Sequence, residues 1–213
     1  MVPALIDQLA SSLGQRDEMP NINLAIKIAK SDNAAQVEEL IGLMGHKKAA
    51  VYNDVIKVLY EIGERKPELI APYLKHFLAV LHHKDNRMRW GAMNALSAIS
   101  HFKPELLAPH LVAVVDAMDS GTVITRDHGI YILCDVARIK KHRAGCMELL
   151  LEQIEKAPVN QVPMYAEKTA AVMSSGYIDR LIRILEKRQD VLEIPSKAKR
   201  IFKVIKQLKA VAN

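Results

Sequence analysis

The sequence is poor in aromatic residues, glycine, proline and cysteine, and each shortage argues against a class of protein. Aromatic residues make up 5% of the 213 residues, and glycine and proline number 9 each. This composition argues against an all-β fold built on aromatic strands and glycine-rich turns. The only two cysteines, Cys134 and Cys146, are too few for a disulfide framework, so we expect a reducing, cytoplasmic compartment.

Long apolar runs are absent as well. No run approaches the roughly 20 apolar residues that cross a bilayer, so we expect no membrane partner. The opening stretch MVPALIDQLASSLGQRDE has neither a basic leader nor a small-residue cleavage site. We therefore interpret this stretch as a first helix and not as a signal peptide.

Catalytic and metal-binding motifs are also missing. The sequence contains no glycine-rich phosphate loop, no GxSxG, no HExxH and no CxxC pair. His82 and His83 are adjacent, and adjacent side chains on a helix point about 100° apart, which makes them poor joint metal ligands. Cys134 and Cys146 have no ligand spacing and are interpreted as packed thiols. We therefore predict a protein that is not an enzyme and that has no cofactor and no metal site.

What the sequence does contain is a repeat with a spacing of 37 residues. PELIAPYL at 67–74 returns as PELLAPHL at 104–111, with six of eight positions identical. In the same register, three successive segments have residues at offsets i, i+3, i+4 and i+7, which is one face of an α-helix. These sets are Val55, Val58, Leu59 and Ile62, then Ala92, Ala95, Leu96 and Ile99, then Gly129, Ile132, Leu133 and Val136. Each unit is therefore predicted to be a pair of helices that buries its apolar face by stacking on its neighbours.

This register divides the chain into about six helical hairpins. No long linker rich in Gly, Ser or Pro separates them, which favours one continuous all-α domain over residues 1–213. The predicted units lie near residues 1–32, 33–66, 67–103, 104–140, 141–175 and 176–213.

The repeats resemble the HEAT repeats of the armadillo-like helical superfamily. Such repeats pair an A helix that often carries a proline with a B helix, joined by a turn that holds an aspartate and followed by an arginine. The matching residues are Pro72, Asp85 and Arg89 in the third unit, and Pro109, Asp119 and Arg126 in the fourth. The second unit departs, because its turn lacks the aspartate and Tyr52 stands where Arg89 falls. The resemblance implies a right-handed α-solenoid of stacked antiparallel hairpins, whose B helices line a concave surface that holds another macromolecule.

Columns of B-helix residues that the apolar register leaves free are the predicted partner-binding residues. They mix charges with amphipathic aromatic residues, and Trp, Tyr and Arg are the types that most often anchor protein interfaces. We therefore predict a non-catalytic scaffold or adaptor that binds a protein or peptide partner through its concave B-helix surface. A competing interpretation is that Trp90 packs between neighbouring B helices. The predicted partner-binding residues are Asn53, Lys57, Trp90, Asn94, His101, Asp127, Tyr131 and Arg138.

Positive charge concentrates in the C-terminal half and supports a second hypothesis. Residues 107–213 carry +5 of the formal net charge of +6. A basic patch is predicted from two segments: Arg138, Lys140, Lys141 and Arg143 in the first, and Lys199, Arg200, Lys203 and Lys206 in the second. The alternative function is a nucleic-acid-associated HEAT protein that uses this basic half. The competing interpretation is that the last helix is a cap with a solvated basic face, which a terminal repeat needs in order to stay soluble.

Two enzymatic branches of HEAT-like proteins are matched poorly. Deoxyhypusine hydroxylases use His-Glu dipeptides as iron ligands, and this sequence has no such dipeptide. Alkylpurine-DNA glycosylases are stacks of similar size with Trp and Asp in a DNA-binding groove. Here Trp90 is the only tryptophan, and the neutral Asn94 stands one turn on, where a carboxylate is expected. The nearby carboxylates that could serve instead, Asp127 and Asp135, lie one repeat unit away. A glycosylase-like activity is therefore a minor alternative.

Overall fold

The computed structural model describes residues 4–212, which form helices joined by turns and contain no strand. The predicted all-α class is confirmed. The chain forms two compact units, Met1–Gly129 and Ile130–Asn213. The single domain predicted over residues 1–213, with its unit boundaries, remains a prediction.

The first unit contains three long helices and several shorter ones. Short 3-10 turns lie at Leu5–Gln8, Ala71–Tyr73, Pro104–Leu106 and Ala108–His110. The α-helices are α1 (Met19–Ser31), α2 (Ala34–Leu43), α3 (Ala49–Arg65), α4 (Pro67–Ile70), α5 (Leu74–Ala79), α6 (Asn86–Phe102) and α7 (Leu111–Ser120), followed by the first part of α8 (Val123–Ala137).

The second unit begins inside α8, at Ile130. It contains one 3-10 turn, Ser175–Tyr177. Its remaining helices are α9 (Arg143–Glu155), α10 (Val162–Ala170), α11 (Ile178–Lys187), α12 (Gln189–Leu192) and α13 (Pro195–Ala212).

The duplicated octapeptide forms the bent start of an A helix in both copies. In the first copy α4 is followed by a 3-10 turn and then by α5, and in the second copy two 3-10 turns precede α7. Each of these segments except α5 and α7 has a proline at its first or second position. Proline is tolerated there because the N–H groups of the first helical turn have no partner within the helix. The repeated prolines therefore break one A helix into short segments at the same places.

The helix α3 lies at the centre of the first unit, where it packs against both α1 and α6. It is buried nearly all round, as expected for a helix with neighbours on several sides. A Cβ atom at Gly91 would lie 2.7 Å from Cγ1 of Ile56, so glycine at this position lets α6 approach α3 closely. Residues of the predicted register, including Val55, Leu59 and Leu96, are fully buried. The predicted apolar register is therefore confirmed.

The arginines singled out in the third and fourth repeats make the same contact. The Nε atom of Arg89 donates to the carbonyl oxygen of Leu81 at 3.2 Å, and that of Arg126 donates to Met118 at 3.0 Å. Each acceptor lies eight residues earlier, at or near the end of the preceding A helix, where carbonyl groups lack helical partners. These arginines therefore fasten a B helix to the end of its A helix.

The two aspartates of the same motif differ from each other. Asp85 caps α6, because its side chain accepts a hydrogen bond from the backbone N–H of Arg87 at 2.8 Å. Asp119 lies in the last turn of α7 and not in the connecting turn. The fourth unit therefore matches the HEAT pattern at the arginine and departs from it at the aspartate.

The opening segment is not the long helix that the sequence suggests. Among residues 4–18, the only helical element is the 3-10 turn Leu5–Gln8, and α1 begins at Met19. Gly14 adopts the left-handed region with φ of 66°, which breaks a right-handed helix. The backbone N–H of Ala10 donates to Asn21 at 3.0 Å, and that of Ser11 donates to Asp54 at 2.8 Å. Side chains of α1 and α3 thus hold these backbone groups in an irregular conformation.

The second unit has its own core. Tyr165 of α10 is fully buried, and α13 contacts α10, α11 and α12. The predicted apolar stripe of α13, Ile201, Val204, Ile205 and Leu208, is buried. Cys134 and Cys146 are buried free thiols, and burial raises their pKa values to about 12 and about 11. These thiols are packed core groups, as the sequence suggests.

Candidate partner-binding surface

Five charged side chains of alternating sign form a continuous chain of ion pairs in the first unit. Arg87 of α6 pairs with Glu18, which directly precedes α1. Glu18 also lies 3.2 Å from Nζ of Lys57 on α3. Lys57 then contacts Glu61 at 2.7 Å, and Glu61 contacts Arg65 at 2.5 Å. This chain of ion pairs joins the N-terminal ends of α1 and α6 to the second half of α3, from Lys57 to Arg65.

The middle of this chain is withdrawn from solvent. The side chains of Lys57 and Glu61 are only 9% and 10% exposed. Burial acts against the charge on Lys57, but hydrogen bonds to Glu61, Tyr60 and Glu18 outweigh it and raise the lysine pKa. Burial likewise opposes the charge on Glu61, and the hydrogen bonds from Lys57 and Arg65 lower its pKa nonetheless. Both groups are therefore charged at neutral pH and held in fixed positions.

Trp90 lies beside this chain and is half-buried. Its ring centroid is 5.7 Å from that of Tyr60 on α3, with a 52° angle between the ring planes. The Nζ atom of Lys57 is 4.7 Å from the Tyr60 centroid, within the range of a cation–π contact. Trp90 therefore packs against the neighbouring B helix, as one interpretation of the sequence holds, while part of its surface stays in solvent.

Two asparagines bridge α3 and α6 on either side of Trp90. Asn94 donates to Glu64 at 3.2 Å, and Asn53 donates to Asp85 at 3.0 Å. Asp85 also accepts from Tyr52 at 3.2 Å. Burial opposes the Asp85 charge, but these hydrogen bonds and the one from the Arg87 backbone lower the pKa of Asp85. Carboxylates on one helix thus fix the orientation of an asparagine on the other.

We call this set of side chains the α3–α6 ladder. It comprises Glu18, Asn53, Lys57, Tyr60, Glu61, Glu64, Asp85, Arg87, Trp90 and Asn94.

A polar cavity of about 240 Å³ opens beside the ladder. It lies between the loop that precedes α1 and the first turns of α3 and α6. Its lining includes Ser11, Asn53 and Arg87. One buried atom of each, Ser11 Oγ, Asn53 Oδ1 and Arg87 Nε, has no hydrogen-bond partner among the described residues. The side chains that line the cavity therefore include a donor and acceptors whose hydrogen-bonding capacity is not used within the described residues.

The structure brings four of the eight predicted partner-binding residues together, namely Asn53, Lys57, Trp90 and Asn94. Contrary to the prediction that these positions are free, Lys57 and Asn94 are buried, because α3 and α6 approach each other closely. His101 is exposed at the end of α6, and Asp127 is half-buried on α8. The other two belong to the second unit. Tyr131 has Lys168 Nζ 5.1 Å from its ring centroid, and exposed Arg138 lies 4.0 Å from Asp135. All eight remain predictions as binding residues.

The sequence analysis missed Glu18, Tyr60, Glu61 and Arg87. A signal existed for one of them, because Lys57, Glu61 and Arg65 follow one another at i, i+4 spacing, the spacing of helical ion pairs. The pair between Glu18 and Arg87 joins residues 69 positions apart and has no local sequence signal.

The predicted basic patch contains side chains with partners in the protein and side chains exposed to solvent, and some, such as Arg138 beside Asp135, are both. Arg143 donates to the carbonyl of Ala137 at 3.1 Å, and Arg200 makes two hydrogen bonds to Glu167 at 2.8 and 2.7 Å. Arg138, Lys140, Lys141, Lys199, Lys203 and Lys206 are exposed. The charge follows the division of the chain, because residues 1–129 hold 14 Lys/Arg and 15 Asp/Glu whereas residues 130–213 hold 16 and 9. The first unit has a formal net charge of −1 and the second of +7.

The part of the chain that the structure describes contains neither a group of metal-binding side chains nor a membrane-spanning helix. Across residues 4–212, no three His, Cys, Asp or Glu side chains are grouped so as to hold a metal ion. Within the same residues, no helix combines the length and apolar character needed to span a membrane.

Comparison with solved structures finds similar folds. An engineered protein is 18% identical over 98% of each chain, with a TM-score of 0.61. A designed armadillo repeat protein in complex with the peptide (KR)4 is 16% identical over 95% of this chain and 100% of its own, with a TM-score of 0.59. A second designed armadillo repeat protein is 16% identical over 94% and 99%, with a TM-score of 0.56. No protein-family model and no curated protein matches this sequence. The structural likeness confirms the armadillo and HEAT-like α-solenoid fold.

Proposed function

We propose that this armadillo-like protein is a non-catalytic scaffold that binds an extended, basic segment of a protein partner on the α3–α6 ladder. Its similarity to designed armadillo repeat proteins, one of them in complex with a peptide, supports a protein-binding role in general. The observation that carries the finer proposal is the partly exposed Trp90 flanked by two oriented asparagines. The two buried thiols fit the reducing cytoplasm as the proposed compartment.

The ladder suits an extended backbone. An extended peptide has N–H and C=O groups that no helix or sheet satisfies, and an asparagine amide offers a donor and an acceptor on one planar group. Asn53 lies on α3 and Asn94 on the adjacent helix α6, and carboxylates fix both side chains. Fixed side chains lose little conformational entropy on binding, so each contact contributes more affinity.

The chemistry around Trp90 favours a basic side chain in the partner. The face of an indole attracts Lys and Arg, and the carboxylate of Glu64 accepts a hydrogen bond from the neighbouring Asn94. The cations of the ladder already have carboxylate partners: Lys57 pairs with Glu18 and Glu61, and Arg87 with Glu18. The first unit also has a slightly negative net charge. An acidic segment would find these cations occupied.

A labelled (KR)4 peptide is a direct probe, because a neighbour of this fold is known in complex with it. We expect wild-type protein to bind (KR)4 and to bind an (ED)4 control far more weakly, as measured by fluorescence anisotropy. Trp90→Ala and Asn94→Ala should each weaken binding, and Trp90→Ala by roughly 2 kcal/mol or more, the loss typical of an interface hot spot. Trp90 is the only tryptophan, so its own fluorescence gives a second, label-free signal in the wild type.

Phe102→Ala is the matched control, since Phe102 lies on the same helix and is 50% exposed. This variant should bind like wild type, and far-UV circular dichroism should show intact helicity in all variants. Equal binding of (KR)4 by wild type and Trp90→Ala would refute the ladder as the binding surface. Preference for (ED)4 would refute the basic partner.

A further inference from the structure

The exposed face of α13 carries a row of lysines. Lys199, Lys203 and Lys206 are spaced i, i+4 and i+7, so they share one side of the helix, and all three are exposed. The opposite side, with Ile201, Val204, Ile205 and Leu208, is buried in the second unit. The row spans roughly 10 Å along the axis at about 1.5 Å per residue.

Among the described residues of the second unit, no acidic side chain forms an ion pair with this row. Arg200 forms a bidentate salt bridge with Glu167, and Nζ of Lys209 lies 3.6 Å from Oε1 of Glu186. Lys199, Lys203 and Lys206 form no hydrogen bond or ion pair with the described residues. The field of Lys203 does reach Glu167, whose pKa is lowered first by its hydrogen bonds from Arg200 and in smaller part by the charge of Lys203. The helix itself has six basic residues and no acidic one.

An aromatic ring stands within the same row. Phe202 is three residues after Lys199 and directly precedes Lys203, and it is 58% exposed. A helix that only caps a solenoid needs a polar outer face, and a large exposed aromatic ring adds nothing to that role. Single-stranded nucleic acid offers phosphate groups and exposed base faces. The lysines of this row can contact the phosphates, and the exposed ring can stack on a base.

We propose that this face of α13 binds single-stranded nucleic acid, with Lys199, Lys203 and Lys206 on successive phosphates and Phe202 stacked on one base. The site is separate from the α3–α6 ladder and does not depend on it. A membrane-surface role is disfavoured because the apolar side of α13 is buried in the core, whereas an interfacial helix must offer that side to lipid. An acidic helix is disfavoured because Phe202 is the only large apolar side chain within the row that such a helix could cover.

The experiment measures binding of the full chain to a fluorescein-labelled 12-nucleotide oligothymidylate over a range of salt concentrations. Changing Lys199, Lys203 and Lys206 together to Gln should weaken binding. It should also reduce the slope of log affinity against log salt concentration by about 2, because each phosphate contact on a single strand contributes about 0.7 to that slope. Phe202→Ala should weaken binding about five- to 150-fold, the equivalent of ~1–3 kcal/mol for one stacked base. A 12-base-pair duplex should bind more weakly, because its bases are already stacked.

Matched controls separate this site from general charge. Changing Lys27, Lys47 and Lys75 to Gln alters net charge equally at exposed positions of the first unit, and Phe102→Ala removes another exposed ring. Both controls should bind like wild type. The proposal is overturned if the control triple variant loses as much affinity, if Phe202→Ala changes nothing, or if duplex binds as tightly as the single strand. It is also overturned if an oligoglutamate peptide or phosphatidylserine vesicles bind in a Phe202-dependent manner and the oligonucleotide does not.

Discussion

Removing the ammonium group of Lys57 should destabilise the first unit strongly. Lys57→Met keeps the length and apolar stem of the side chain while leaving the buried carboxylate of Glu61 with only one of its two cations. Loss of one partner from a buried ion pair costs about 3–5 kcal/mol. Arg65 still contacts Glu61, and Arg87 still contacts Glu18, so part of the charge remains balanced. We therefore expect the free energy of unfolding to fall by about 2–4 kcal/mol.

Urea unfolding is the measurement, followed by far-UV circular dichroism and by the fluorescence of Trp90 in the same unit. The control is Lys27→Met, which alters an exposed lysine of α1 and should change stability by no more than about 0.5 kcal/mol. The double variant Lys57→Met with Glu61→Leu removes both buried charges and should recover part of the loss. If Lys57→Met costs as little as Lys27→Met, the buried ion-pair chain is not the rigid element that we describe.

Two further predictions test the core and its response to pH. Leu96→Ala and Leu133→Ala remove fully buried side chains and should each lower the free energy of unfolding in urea by roughly 2–5 kcal/mol. The control Leu13→Ala, at a 52% exposed position, should cost little. Equal effects at all three positions would contradict the apolar register. Burial lowers the pKa of His128 to about 4, below the value near 6.5 expected after unfolding. The free energy of unfolding should therefore be highest above about pH 6.5 and should decrease as the pH falls toward 4, because the unfolded chain binds the proton first. Between pH 7 and 4.5 the loss should be roughly 2–3 kcal/mol, and His128→Gln should show a smaller loss over the same interval.

Much of the fold was predictable because the repeat is local and periodic. The octapeptides at 67–74 and 104–111 mark the bent starts of two A helices, and the apolar offsets identify the buried face of each B helix. The opening segment was predicted wrongly as a helix. Its conformation depends on hydrogen bonds from Ala10 and Ser11 to side chains that lie farther along the chain.

The candidate site was predictable only in part. The register leaves Trp90 and Asn94 free, and in the structure Trp90 is half-buried whereas Asn94 is buried. The same reasoning treats Lys57 as an exposed contact residue, whereas its side chain is 9% exposed and its charge is balanced by two carboxylates. Helical periodicity gives the direction of a side chain from its own axis, and it does not give the distance to the next helix.

The sequence by itself determined the helical class, the 37-residue period and the apolar face of each B helix, because these depend on residues within one or two turns of one another. Only the tertiary structure decided that Glu18 joins Arg87 to Lys57, that Asn53 and Asn94 are held by carboxylates of a neighbouring helix, and that Phe202 stands exposed among lysines. These features arise where helices from distant parts of the chain meet or end. Burial and charge pairing are set there by close approach in space, which no local pattern records.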